Sequence, residues 1–206
     1  MRFEKKYVLA IIGSFLCGLA FSIKDNVHYN TQSASVECSV CFTPGNPCTQ
    51  KIVDKIEHAK KEILVQSYSF TSIEIGNALI RAHQRGVKVK MIVDSSQEGK
   101  LLITQLAHAG IPMFIDKPAG IAHNKVMIID EQIVLTGSFN FTKAAQNRNV
   151  ENSICIISKK IAAQYRKQWK ERLTISYSYK PNMSQVEEAE ISFAKSPKKI
   201  VQIRHV

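Results

Sequence analysis

Between Val36 and Leu173 short apolar runs alternate with segments of helical period, and this alternation restricts the fold more than any other feature of the chain. The apolar runs are Val36 to Phe42, Glu62 to Phe70, Val87 to Asp94, Ile111 to Ile115, Lys125 to Asp130, Ile133 to Thr136 and Asn152 to Ile157. Each has strand length, and most lack the strict polar alternation of a sheet with one wet face. Between them, Pro47 to Lys61 places Ile52, Val53, Ile56 and Ala59 at helical spacing. Ser72 can cap a helix carrying Ile75, Leu79 and Ala82, with Gly86 as its stop. Leu101 to Ala109 reads as a helix ended by Gly110, and Lys159 to Leu173 as one presenting Ile161, Ala162, Tyr165 and Trp169. Apolar strands interleaved with helices need cover on both faces. The pattern predicts an α/β fold: a mixed, mostly parallel β-sheet sandwiched between helices, in one domain over residues 36–173. No internal repeat is visible.

The flanks read differently. Arg2, Lys5 and Lys6 precede an uncharged stretch from Tyr7 to Ser22, YVLAIIGSFLCGLAFS. A basic lead followed by an apolar run is the pattern of a signal peptide, with Ala20 and Ser22 as small residues before a cleavage point. The run falls short of the roughly 20 residues that span a bilayer, and an uncleaved membrane anchor is the alternative for residues 1–22. Either way the chain is expected to be exported: secreted, periplasmic, or anchored by residues 7–22. Residues 23–35 form a polar linker. Residues 174–206 read as a loosely ordered tail with one short helix at most. It holds an acidic knot (Glu187, Glu188, Glu190) and a basic end (Lys195, Lys198, Lys199, Arg204).

Charge narrows the partners. Lys plus Arg number 28 against 17 Asp plus Glu, a net +11. Without residues 1–22, 25 basic and 16 acidic residues still leave +9. Such an excess favours a polyanion, either nucleic acid or an anionic membrane face. A hydrophobic share of 45% excludes a disordered tail protein. Of the five cysteines, Cys38, Cys41 and Cys48 cluster, and an oxidising compartment predicts one disulfide among them. A zinc site is the competing reading of Cys38-x2-Cys41, but no further ligand pair completes it. Cys155, in an apolar run, is expected in the core.

One constellation carries chemistry. His123, Lys125 and Asp130 stand in the order H-x-K-x4-D, followed by Gly137, Ser138 and Asn140 as G-S-x-N. Residues two apart on a strand share a face. His123 and Lys125 would therefore project together, as would Ser138 and Asn140 across the hairpin. An imidazole, an ammonium, a hydroxyl and an amide converging on one volume can cleave a phosphodiester without a metal. The imidazole serves as nucleophile or acid–base group, and the others donate to phosphate oxygens. Taken singly, each residue reads as ordinary: a surface histidine, a solvated lysine, turn residues. The joint spacing sets them apart.

The stretch HNKVMIIDEQIVLTGSFN resembles the signature of the phospholipase D superfamily, the HKD motif. FTKAAQNRNVEN after it, SYSFTS at Ser67 to Ser72 and RGVKVKMIVD at Arg85 to Asp94 resemble the small bacterial Nuc-type members. The resemblance implies the phospholipase D/nuclease fold and no cofactor or metal. It implies that His123 attacks phosphorus to give a phosphohistidine. Lys125 and Asn140 would hold the non-bridging oxygens, with Ser138 nearby. Glu151 would orient the imidazole, and Asp130 would support the site. The family uses two histidines, and this chain carries one motif. The resemblance therefore implies a homodimer with its active site on the two-fold axis.

The substrate expectation is a nonspecific endonuclease on DNA or RNA. Lys143 and Arg148 beyond the motif would bind substrate, and Lys159, Lys160, Arg166, Lys167 and Lys170 would extend a basic rim. The alternative is a secreted phospholipase D acting on phospholipid head groups beside a bilayer. A third reading, from a different class, is a non-catalytic nucleic-acid-binding module.

Overall fold

Among the described residues two of the seven strand pairings are parallel, and the helices that link those strands are the reason. The computed structural model describes residues 36–194. The leader, the linker and the basic end of the tail lie outside the described residues. The strands are β1 (Glu37–Thr43), β2 (Glu62–Ser67), β3 (Lys88–Asp94), β4 (Met113–Asp116), β5 (Lys125–Ile129), β6 (Ile133–Gly137), β7 (Glu151–Ile157) and β8 (Tyr177–Tyr179). They form one sheet in the order β1-β7-β6-β5-β2-β3-β4-β8. The helices are α1 (Cys48–Glu57), α2 (Ile73–Gln84), α3 (Leu101–His108), α4 (Lys143–Asn147), α5 (Lys159–Ile175) and α6 (Met183–Ala194).

The α/β sandwich and the mixed sheet stand, but the sheet is mostly antiparallel, which corrects the expected direction. Parallel neighbours need a crossover of a dozen or so residues. Only α2, between β2 and β3, and α3, between β3 and β4, supply one. β5 and β6 are joined by a tight turn in which Asp130 and Glu131 take φ 51° and 60°, and the pair is antiparallel. β5 lies antiparallel on β2, with Lys125 opposite Ser67 and Ile129 opposite Ile63. β1 and β8 close the edges, each antiparallel to its neighbour.

Alternate residues of each strand serve opposite layers. Ile63, Val65, Met91, Val93, Met127, Ile129 and Leu135 pack with α1, α2 and α3 in the larger core. Leu64, Ile92, Val126, Ile128 and Val134 pack under Ala162 and Trp169 of α5. Trp169 donates its indole N–H to the Val65 carbonyl at 2.9 Å, so the ring is fixed in the second layer. Burying one such aliphatic side chain contributes about 1.5–3 kcal/mol. Ser72 caps α2 by accepting from the Ile75 amide, a contact of about 1 kcal/mol.

The tail is more ordered than its sequence suggests. Tyr177–Tyr179 adds an edge strand to β4, and the Tyr179 hydroxyl meets Thr104 at 3.0 Å in the interior. α6 then packs on α3, burying Val186 and Ala189. Three strand residues are too few for a readable period, which is why β8 escapes the pattern. Cys41 and Cys48 form the disulfide, and Cys38 and Cys155 are free, the latter half-buried against the core. No helix of the described residues is long and apolar enough to cross a membrane.

Candidate active site

The carboxyl ends of β2, β3 and β6 and the amino ends of β5 and β7 meet at one edge of the sheet. Ligands of open α/β sheets sit beyond strand ends of this kind. His123 lies in the loop just before β5 and is exposed. Lys125, the first residue of β5, is only 5% exposed. Its ammonium donates to the His123 carbonyl at 2.7 Å and lies 5.0 Å from the centre of the Tyr68 ring. The Tyr68 ring meets the His123 imidazole edge-on, with centroids 4.6 Å apart. Imidazole and ammonium are thus gathered around one aromatic ring, the lysine beneath and the histidine toward solvent. Burial pushes the Lys125 pKa down, the negative charge of Glu151 pushes it up, and burial wins.

The second half of the constellation is placed by Gly137. Its φ of +138° is open only to glycine, and a Cβ there would stand 2.4 Å from the Asn152 carbonyl oxygen. This close approach of β6 to β7 sets Ser138 beside Glu151. The Ser138 hydroxyl donates to Glu151 Oε2 at 2.5 Å and accepts from the Asn152 amide at 3.1 Å. Glu151 Oε1 accepts from the Asn149 side chain at 2.9 Å. Among the described residues no hydrogen bond joins Glu151 to His123. Asn140 is half-buried, and its Oδ1 has no hydrogen-bond partner among the described residues.

Other expected residues fall elsewhere. Lys143 and Arg148 lie at the two ends of α4, exposed, on the segment between Asn140 and Glu151. Asp130 is at the opposite end of β5, roughly 17 Å along the strand from Lys125 at about 3.3 Å per residue. Its carboxylate accepts the backbone N–H groups of Lys60, Lys61 and Glu62 at 2.8, 2.7 and 3.0 Å. That contact ties the β5–β6 turn to the start of β2. Of the basic rim expected from α5, Lys159, Lys160 and Arg166 lie away from the site. The helix begins beside Gln132 at the far end of the sheet, and Arg166 is engaged by Glu62 and Glu131 there.

Two residues at the site carry no signal in the motif. Tyr68 is one. Asp94, the last residue of β3, is the other, and it is 3% exposed. Its Oδ2 accepts the Ala122 amide at 2.7 Å and its Oδ1 the Ser96 amide at 3.0 Å. Burial works to raise the Asp94 pKa. Hydrogen bonds from Ser96 and Ala122, with the His123 charge, outweigh it and hold the group below the usual carboxylate range. An Asp opening a turn after a strand is visible in VDSS; its reach to Ala122, 28 residues on, is not.

Comparison with known proteins agrees with this geometry. Residues 52–173 match the family described as cardiolipin synthase, PLD-like domain. The chain is 43% identical over 157 residues to a phospholipase D of Rickettsia conorii, covering 75% of this chain and 78% of that protein. A phospholipase D of Rickettsia prowazekii is 38% identical over 200 residues, 85% of this chain and 98% of that protein. Among solved structures, Nuc from Salmonella typhimurium, a phospholipase D family member, superposes with a TM-score of 0.67 at 34% identity. That match covers 71% of this chain and all of Nuc. With the sheet, the clustered imidazole and ammonium and these relatives in agreement, the chain belongs to the phospholipase D superfamily as a phosphodiesterase of the Nuc type.

Proposed function

We propose that the protein is an exported phospholipase D that hydrolyses phospholipid head groups, with His123 as nucleophile and two chains forming the working enzyme. The observation that carries the chemistry is the exposed His123 imidazole standing with buried Lys125 around Tyr68. A ring nitrogen of His123 attacks phosphorus, forming a P–N bond as the P–O bond to the head-group alcohol breaks. The leaving oxygen takes a proton from a second imidazole. Water, giving its proton back to that imidazole, then attacks phosphorus, breaks the P–N bond and releases phosphatidic acid. Lys125 and Asn140 donate to the phosphoryl oxygens as negative charge builds, with Ser138 nearby. One motif per chain makes the second imidazole the His123 of a second copy. Val40 and Phe42 of β1 support that assembly. They stand exposed, Phe42 by 61%, on the face that α5 leaves uncovered.

Lipid is favoured over nucleic acid, reversing the order expected from charge alone. Arg166 and the amino end of α5, with Lys159 and Lys160, stand away from the site. Ile121, 58% exposed, is two residues before His123, and Val150, 88% exposed, directly precedes Glu151. Exposed aliphatic side chains at that edge suit a bilayer face. Nucleic acid is the second reading, favoured by Lys143 and Arg148 at α4. The test offers phosphatidylcholine vesicles, plasmid, single-stranded DNA and RNA to the protein and to His123→Ala, all in EDTA. Head-group release by the parent and none by the variant is expected. Cleavage of nucleic acid with the vesicles untouched would reverse the ranking, and full activity of His123→Ala would end the nucleophile assignment.

A further inference from the structure

Asp94 is a buried carboxylate without a basic partner. Among the described residues no lysine, arginine or histidine forms a salt bridge with it, although buried charges are ordinarily paired. It is held by the amides of Ala122 and Ser96 and by the Ser96 side chain. Ala122 is the residue before His123, so the carboxylate grips the chain one peptide from the imidazole. The groups facing that imidazole come from three places. Tyr68, after β2, lies edge-on to the ring. Lys125, on β5, bonds the His123 carbonyl. Asp94, on β3, interacts with its charge. Glu151, on β7, is committed to Ser138 and Asn149.

We propose that Asp94 is a positioning residue for His123: it fixes the backbone at Ala122 and holds a carboxylate one residue from the imidazole. This rests on the reading of His123 as the nucleophile. When a ring nitrogen attacks phosphorus, the imidazole gains positive charge until its other N–H proton leaves. A fixed anion nearby favours that charged state, and a clamped backbone keeps the ring aimed. Asp94 thus supplies within one subunit what Glu151, tied to its own neighbours, does not supply there.

Asp94→Asn removes the charge and keeps one acceptor oxygen, which can still serve Ala122, while the bond from the Ser96 amide is lost. We expect kcat to fall on the order of 10- to 100-fold, the range for an outer-shell partner of a working histidine, with KM changed by less than about twofold. Exchange of the Ala122 amide hydrogen, followed by mass spectrometry, should quicken in Asp94→Ala, which leaves that amide without its acceptor. A kcat within about twofold of the parent, or unchanged exchange at Ala122, would overturn the proposal. Should Asp94→Asn fail to fold, Asp94→Glu keeps the charge and displaces it; a fall in kcat at constant KM is again expected, and parent-like kcat is the refuting result. His123→Ala is assayed in parallel. If that variant stays active the nucleophile reading fails, whereas amide exchange at Ala122 tests Asp94 without any turnover.

Discussion

Replacing Asp130 by Ala should weaken the fold and leave the chemistry of each folded molecule nearly intact, although Asp130 belongs to the signature. Its carboxylate serves three backbone amides at 2.7–3.0 Å. A hydrogen bond to a charged group contributes about 1.5–3 kcal/mol when sheltered. These amides are partly open to water, so about 0.5–1 kcal/mol each is the better figure. Asp130 also holds φ 51°, a conformation that costs alanine about 1–2 kcal/mol. Together these give a loss of about 3 kcal/mol, or roughly 6–12 °C in Tm for a chain of this size. Asp130→Asn keeps one acceptor oxygen and a residue suited to positive φ, and should lose about half as much. The assay pairs thermal unfolding with kcat normalised to folded protein well below Tm. A fall in normalised kcat of more than about tenfold with Tm unchanged would refute the separation of Asp130 from the reaction.

Three further outcomes are expected. Removing the Cys41–Cys48 bridge by paired serine substitution or by a thiol reductant should cost about 2.5 kcal/mol for so short a loop, read as a lower Tm; an unchanged Tm would show that the bridge adds nothing. Because burial holds Lys125 below the ordinary 10.5, activity should decline as pH rises through that lowered value, and Glu151→Gln should move the decline to still lower pH. Stability should increase over the same window, because the unfolded chain keeps the lysine proton longer. Val40→Asp combined with Phe42→Asp should halve the sedimenting mass and remove activity at low concentration; a parent protein that sediments as a single chain and is fully active would contradict the shared site.

Much of the fold is legible because local signals and burial agree. Ser72 and Gly86 bracket α2 as cap and stop, and the alternation through VMII and IVL matches the two layers that receive it. Strand direction is not written in the strands themselves. It follows from connection length, and weighing the two helical crossovers more heavily than the tight β5–β6 turn gives the wrong balance. The site residues with fixed spacing are legible together, yet spacing cannot separate Lys125, which lies beneath His123, from Asp130, which braces the far end of the same strand. Tyr68 and Asp94 fall within stretches that resemble the family, yet nothing there marks them as site residues, because they reach the site through pairings that join distant parts of the chain. Lys159 and Lys160 of α5 mislead because composition carries charge but no address, and only the antiparallel run of α5 back along the sheet shows where its first turn lies.

The smaller layer has a practical consequence. The chain's one tryptophan, Trp169, is anchored there by the Val65 carbonyl, across the sheet from most of the helices. Its fluorescence therefore monitors the docking of α5 alone. An emission shift that precedes loss of helical circular dichroism would mark peeling of a single helix, and simultaneous changes would mean that both sides of the sheet come apart in one cooperative step.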